Sequence, residues 1–242
     1  MSDNSFVLYA LPYAGGHSLV YRQLQPLLAP RIILKALDPP GRGRRSREPL
    51  LVDMEQIAEA VFNQIKDELV NQPYGLFGHS MGSLLVYLLA RRIAAAQLPL
   101  PRHLFCSGRG APSVLAAELM EPPPKHTLPT ADFWAYIDSL GGVPPELKAH
   151  RELMDYFEPI LRADIEALER YHYQPPAQPL AVPITVFYGI DDGEITHNSL
   201  LPWQQESQHN VTFCPLHGSH FGIFDQLPLL ANRLIEDVCC LT

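Results

Sequence analysis

The sequence lacks a long apolar segment, and no stretch approaches the roughly 18 consecutive apolar residues that a membrane-spanning helix requires. Its first residues are polar and contain neither the basic nor the apolar part of a secretory signal peptide. We therefore expect a cytoplasmic protein that does not interact with a membrane.

Cysteine and positive charge are also scarce. The 242 residues include four cysteines and no C-x-x-C pair, which favours free thiols in a reducing compartment. Asp and Glu number 26 against 18 Lys and Arg, so the net charge is −8. Non-specific nucleic-acid binding needs a large face of clustered positive charge, so this composition argues against a nucleic-acid partner.

The chain does contain a regular alternation of apolar strands and helical patterns. Strands are predicted at residues 6–11, 32–34, 74–77, 103–107, 184–188 and 211–214. Helices are predicted at residues 19–28, from Asp53 (an N-cap with Gln56 three residues later) to 69, at 81–96 and at 229–238. This order predicts one α/β domain over residues 1–242, with a mostly parallel sheet covered by helices on both faces.

The alternation fails between residues 112 and 183. This segment is rich in proline and has short amphipathic pieces at residues 133–140 and 153–168. Connections of this length are usually functional or structured. We expect a helical insertion that lies over one edge of the sheet before the chain returns to the core.

Residues 78–82 read Gly-His-Ser-Met-Gly, a G-x-S-x-G pattern. Between a strand and a helix, this pattern forms a sharp turn that presents the serine hydroxyl at the carboxyl end of the strand. The pattern also arises by chance, but rarely after one apolar strand and before one apolar helix. We therefore interpret Ser80 as the nucleophile of a hydrolase.

A serine nucleophile needs a base, and the base needs an orienting acid. In this fold the acid follows the serine in the chain and the histidine comes last. Either Asp191 or Asp192 could be the acid, and either His217 or His220 could be the base. Cys214 and the two histidines could also suggest a metal site, but no further ligands complete it, so no metal is expected.

Acyl transfer also requires N–H donors for the oxyanion. One is the backbone N–H of Met81, which follows the nucleophile, and the second belongs to a loop after an early strand. Residues 12–16 supply such a loop, with small residues that let the backbone approach a substrate.

Four arginines, Arg42, Arg44, Arg45 and Arg47, lie close together in this acidic chain. They are either loop residues that pair with Glu48 and other carboxylates, which is the commoner case, or a docking site for an anionic partner or a phosphate. We assign them no binding role.

Five segments resemble one family, the stand-alone (type II) thioesterases of polyketide and non-ribosomal peptide synthesis, which belong to the α/β-hydrolase superfamily. The similarity runs from about Phe6 to Val238. The matching segments are residues 11–16 (oxyanion loop), 40–49 (arginine loop), 77–82 (nucleophile turn), 161–165 with Tyr171 (lid) and 218–221 (histidine motif).

The resemblance implies an α/β-hydrolase fold in which residues 112–183 include the lid. It implies hydrolysis of acyl thioesters on the phosphopantetheine arm of acyl or peptidyl carrier proteins. We also expect a monomer that needs no cofactor. The expected role is editing or housekeeping. By position in the family's motifs, Ser80 is the nucleophile, His220 the base and Asp192 the acid, and the oxyanion donors are the backbone N–H groups of Ala14 and Met81.

Two other functions fit the same residues. A small-molecule carboxylesterase or lipase would hydrolyse free esters with no preference for carrier-bound thioesters. A non-catalytic binding module that retains the fold would not react with a fluorophosphonate at Ser80.

Overall fold

A six-stranded parallel sheet organises the residues that this computed structural model describes, 6–114 and 122–239. The strands are β1 (Phe6–Leu11), β2 (Ile32–Ala36), β3 (Tyr74–His79), β4 (Leu104–Ser107), β5 (Ile184–Gly189) and β6 (Thr212–Leu216). Their order across the sheet is β2-β1-β3-β4-β5-β6, and every neighbouring pair is parallel. The predicted α/β class and six strands are confirmed, with strand ends that differ from the prediction by at most two residues.

Seven of the eight helices in the described ranges lie between strands, and the last follows β6. They are α1 (Gln25–Leu28), α2 (Met54–Ile65), α3 (Met81–Ala95), α4 (Thr130–Ser139), α5 (Pro145–Ala149), α6 (Arg151–Glu169), α7 (His197–Leu200) and α8 (Leu227–Cys239). Short 3-10 turns lie at Ser18–Tyr21, Gly43–Arg45, Lys125–Thr127, Leu201–Gln205 and Gly222–Gln226.

Local sequence explains where two of these helices begin. The Asp53 side chain accepts a hydrogen bond of 2.9 Å from the Gln56 N–H and caps α2, as the capping pattern predicts. The single helix predicted for residues 19–28 is wrong, because a 3-10 turn precedes the short helix α1. Pro26 in the first turn of α1 has no N–H and cannot continue a helix from the preceding residues.

The two faces of the sheet pack into separate apolar clusters. Along β1, Val7, Tyr9 and Leu11 pack with α2 and α3, whereas Phe6, Leu8 and Ala10 pack with α1 and α8. All six side chains are buried, as expected for a strand covered on both faces. This packing on both faces of the sheet fixes the strand ends, from which the loops of the site emerge.

The segment between β4 and β5 contains helices α4, α5 and α6, and part of it packs on the same cluster as α3. Residues 115–121 of the predicted 112–183 insertion lie outside the described residues. The first half of α6, residues 151–158, is mostly exposed, whereas residues 160–168 are mostly buried. Pro159 lies between the two halves.

Cys106 and Cys214 are free thiols, and Cys240 lies outside the described residues. No helix among residues 6–114 and 122–239 is both long and apolar enough to cross a bilayer.

Candidate active site

The segments singled out from the sequence meet at the carboxyl edge of the parallel sheet. Residues 12–16 follow β1, Ser80 follows β3, Asp192 follows β5 and His220 follows β6. In open parallel sheets this is the edge at which ligands bind. Topology therefore brings together residues that are far apart in the chain.

The turn at Ser80 depends on its two flanking glycines. A Cβ atom on Gly78 would lie 2.1 Å from the carbonyl oxygen of Gly82, and a Cβ on Gly82 would lie 2.2 Å from the carbonyl oxygen of Leu11. Ser80 itself has φ 53° and ψ −117°, a conformation that is strained for a residue with a side chain. The fold therefore holds the serine at the first position before α3, at a backbone cost.

Ser83 braces this turn from beneath, a role that the sequence did not suggest. Its fully buried hydroxyl lies 2.9 Å from the Gly78 carbonyl oxygen and 2.7 Å from the Ser107 carbonyl oxygen. It also accepts a 2.8 Å hydrogen bond from the Ser107 N–H. The hydroxyl thereby joins the end of β3 to the end of β4, and its only sequence signal is its place one turn after Ser80.

His220 is oriented by a buried carboxylate. Its Nδ1 lies 2.9 Å from Asp192 Oδ2, and the other carboxylate oxygen of Asp192 accepts a 3.1 Å hydrogen bond from the Glu194 N–H. Only 1% of the Asp192 side chain is exposed. Pairing at Nδ1 leaves Nε2 as the ring nitrogen available to a nucleophile, which is the arrangement that a general base requires. Ser80 and His220 line the same cavity.

The alternative acid and base lie elsewhere. Asp191 accepts a 3.2 Å hydrogen bond from the Gly218 N–H through Oδ2 and is exposed to solvent. His217 is also exposed, and its backbone pairs with the Gln226 side chain. Neither alternative lines the cavity that contains Ser80 and His220.

An aromatic cluster packs against the His220 ring. The ring centroid of His220 lies 5.1 Å from those of both His79 and Phe221, and Tyr13 packs edge-on against the latter two rings. Burial lowers the pKa of His79 well below its usual range, so this ring is neutral near pH 7. His79 therefore packs beside His220 without placing a positive charge there.

The cavity above Ser80 has a volume of about 180 Å³ and a largely apolar wall. The helices between β4 and β5 supply much of this wall. Its apolar residues include Trp134 and Ile137 of α4, Leu147 of α5, and Phe157, Leu161 and Ile165 of α6. The site can thus hold an apolar chain next to the serine.

The sequence and the family resemblance predict two backbone N–H donors for the oxyanion. Met81 is the first residue of α3, where the helix N-terminus favours negative charge. Ala14 lies in the loop after β1 and lines the cavity, and the Gly16 N–H closes a turn onto the Tyr13 carbonyl at 2.9 Å. Both predicted donors therefore belong to segments that border Ser80.

The arginine loop divides into paired and exposed residues. Arg42 is buried and forms a two-point ion pair with Asp164 of α6. Arg45 makes a two-point pair with Glu48 at 2.6 and 2.7 Å. The side chains of Arg44 and Arg47 face solvent. Arg45 therefore pairs with Glu48 as the loop interpretation predicts. Arg42 does not fit that interpretation, because it is buried and its partner is a distant carboxylate of the insertion.

A metal site at Cys214, His217 and His220 is the alternative that the sequence also raises. Among residues 6–114 and 122–239 there is no group of three or more His, Cys, Asp or Glu side chains arranged to hold a metal ion. Cys214 lies on β6 and is half-buried. We assign no metal-binding role to it or to the neighbouring histidines.

Comparison with known proteins points to a single family. The model of the thioesterase domain matches residues 6–238. The chain is 34% identical over 232 residues to the gramicidin S biosynthesis protein GrsT of Aneurinibacillus migulanus. These matched residues cover 96% of this chain and 87% of GrsT. The structure of ClbQ from the colibactin NRPS/PKS pathway matches with a TM-score of 0.91 and 29% identity, covering 98% of both chains. YbtT, a type II thioesterase of the yersiniabactin NRPS/PKS pathway, matches with a TM-score of 0.86 and 29% identity over 100% of this chain and 96% of its own.

Proposed function

Because this chain belongs to the thioesterase family, we propose that it hydrolyses acyl thioesters carried on the phosphopantetheine arm of acyl or peptidyl carrier proteins. Its role would be to edit or clear acyl groups in polyketide or non-ribosomal peptide synthesis. The relatives support this role, since GrsT is named for gramicidin S biosynthesis and YbtT is a type II thioesterase of an NRPS/PKS pathway.

The proposed first step is attack by Ser80 on the thioester carbonyl carbon. The new bond joins Ser80 Oγ to that carbon, and the carbonyl π electrons move to the oxygen. His220 Nε2 takes the hydroxyl proton while Asp192 stabilises the resulting imidazolium. The N–H groups of Met81 and Ala14 stabilise the negative oxygen, a contribution that usually lowers the barrier most.

In the second step the carbon–sulfur bond breaks, and His220 returns the proton to the departing thiolate. A water molecule, deprotonated by His220, then attacks the carbonyl carbon of the acyl-serine ester. The bond between that carbon and Ser80 Oγ breaks, His220 returns the proton to Ser80 Oγ, and the free acid leaves. The observation that carries this mechanism is the 2.9 Å contact of His220 Nδ1 with the buried Asp192 carboxylate, on the cavity that also contains Ser80.

The proposal is tested with one set of acyl chains presented in three forms: on a phosphopantetheinylated carrier protein, on a small thiol and as simple esters. We expect kcat/KM to be about tenfold or more higher for carrier-bound chains, which corresponds to about 1.4 kcal/mol from contacts with the carrier. A kcat/KM for the simple esters equal to that for the carrier-bound chains would favour the carboxylesterase alternative instead.

We also propose that the insertion between β4 and β5 acts as a lid. Its helices supply apolar walls to the cavity, and the exposure of α6 changes at Pro159. Proline lacks the N–H that would bond one turn back, so the helix is weakest there. Lids of this kind open on microsecond to millisecond timescales and often limit turnover.

The lid proposal predicts a pattern of hydrogen exchange. Amides of α4 and of residues 151–158 should exchange faster than those of β1, β3 and β4, because fewer buried contacts protect them. A non-hydrolysable acyl-carrier mimic should slow their exchange. If these amides are as protected as the central strands both with and without the mimic, the insertion is a fixed wall and the lid proposal is wrong.

A further inference from the structure

A carboxylate on the insertion holds the loop that is predicted to bind the oxyanion. The Gly15 N–H donates a 2.7 Å hydrogen bond to Oδ2 of Asp164, a residue of α6 that is completely buried. Gly15 directly follows Ala14, whose N–H is one proposed oxyanion donor. The peptide unit joining these two residues is therefore held at one end by a side chain that is 149 positions away in the chain.

Arg42 holds this carboxylate in place. Its guanidinium donates to both oxygens of Asp164, with NH2 2.6 Å from Oδ1, and only 2% of the Arg42 side chain is exposed. A planar guanidinium that binds both oxygens fixes the plane of the carboxylate as well as its position. Asp164 therefore presents Oδ2 to the Gly15 N–H in one orientation.

The backbone at Gly15 cannot easily adopt another position. Its φ of 77° is in the left-handed region that favours glycine, and a Cβ there would lie 2.5 Å from Leu161 Cδ2 of α6. The other end of the loop is bound in the same way, since the buried Asp38 carboxylate accepts a 2.6 Å hydrogen bond from the Ser18 N–H. Two buried carboxylates thus hold the two ends of residues 15–18.

We propose that Asp164 is a positioning residue for the reaction. Through Gly15 it fixes the direction of the Ala14 N–H, so that the oxyanion site is formed only when the second half of α6 is docked on the core. This inference rests on the proposed function, because it assumes that Ala14 donates to the oxyanion. It also assigns Arg42 the role of orienting Asp164.

The test compares two double variants that both lack the buried ion pair. Arg42→Met with Asp164→Asn removes the charges and retains an oxygen that can accept from Gly15. Arg42→Met with Asp164→Leu has nearly the same side-chain size but offers no acceptor. Since both variants lose the same ion pair, a difference between them reports on the bond to Gly15.

We expect kcat for thioester hydrolysis to be about 10- to 100-fold lower in the leucine variant than in the asparagine variant, with KM within about threefold. A trifluoromethyl ketone that carries the acyl chain forms a hemiketal oxyanion with Ser80, and its affinity should fall by the same factor. The matching methyl ketone, which binds without forming this oxyanion, should bind both variants equally. A purely structural role would give equal kcat and equal inhibitor affinity for both, which would overturn the proposal.

Glu206→Gln is the matched control for loss of a buried carboxylate. Glu206 is 1% exposed, binds the hydroxyls of Tyr87 and Tyr173, and does not line the cavity. This variant should lower the melting temperature without changing the affinity ratio of the two ketones. A similar change in the ratio here would show that general loss of stability explains the effect.

A measurement on the unaltered protein covers the case in which a double variant does not fold. The Gly15 amide should exchange hydrogen slowly for a loop residue, because its N–H binds a buried carboxylate. Exchange as fast as that of an exposed loop amide would contradict the proposal. A different result would refute the proposed function. If the unaltered protein neither hydrolyses thioesters nor reacts with a fluorophosphonate, the proposed function is wrong whatever the exchange rate of the Gly15 amide.

Discussion

Ser80→Ala is expected to reduce kcat for thioester hydrolysis by about 10³- to 10⁶-fold without loss of the folded state. The hydroxyl is the proposed nucleophile, and among residues 6–114 and 122–239 no other serine or threonine lines the cavity. Its removal leaves apolar binding and the N–H donors in place, so a residual rate above that in water should persist. The measurement is single-turnover hydrolysis of an acyl-carrier substrate, together with a thermal melt of both proteins.

A fluorophosphonate probe provides the second readout for this prediction. It should label the unaltered protein and fail to label Ser80→Ala. Ser46→Ala removes a serine hydroxyl from an exposed position on the arginine loop and should keep both labelling and turnover. Turnover of Ser80→Ala at the level of the unaltered protein would refute the mechanism.

The strained backbone of Ser80 adds a stability difference to the same experiment. Glycine adopts φ 53° without the steric cost that alanine shares with serine. Such strain costs about 1–3 kcal/mol, and glycine returns part of this through the greater freedom of the unfolded chain. Ser80→Gly and Ser80→Ala should therefore be equally inactive. The free energy of unfolding of the glycine variant should be about 1 kcal/mol higher than that of the alanine variant.

The features that the sequence predicts well are those encoded by neighbouring residues. Strands such as β1 are buried on both faces, so they appear as continuous apolar runs. The cap at Asp53 and the strand–turn–helix context of Ser80 are equally local. The helix predicted for residues 19–28 is wrong because apolar spacing alone did not account for the proline in it.

Contacts between distant segments could not be predicted in this way. In the sequence Arg42 is one of four arginines of the same loop, and nothing marks it for burial, because its partner Asp164 is 122 positions away on another element. Likewise, adjacent aspartates 191 and 192 are equivalent as sequence, and only the family resemblance separated them. In the structure they differ, because successive residues of the turn after β5 face opposite sides. The Asp192 side chain is buried and the Asp191 side chain is exposed.

Asp192→Asn is expected to lower kcat by about 10³- to 10⁴-fold, whereas Asp191→Asn should change it by no more than about twofold. The Asp192 carboxylate accepts from His220 Nδ1 and from the Glu194 N–H, one bond to each oxygen. An asparagine has a single acceptor oxygen for these two donors. The Glu194 N–H is fixed in the backbone and cannot change its role, whereas the imidazole can move its proton to the other nitrogen.

The amide oxygen of Asp192→Asn should therefore turn towards Glu194 and direct its NH2 group at His220 Nδ1. That nitrogen then becomes an acceptor, and the proton resides on Nε2, the nitrogen that must take the proton of Ser80. The variant should keep its fold and its KM and lose kcat, because the ring is present in the wrong tautomer.

In Asp191→Asn the amide oxygen can still accept from the exposed Gly218 N–H, so this variant is the matched control. Nitrogen-15 spectra of the His220 ring would identify the tautomer directly. If Asp191→Asn proves the more damaging of the two, the acid is assigned one residue too late and the 2.9 Å contact to His220 is not the catalytic one.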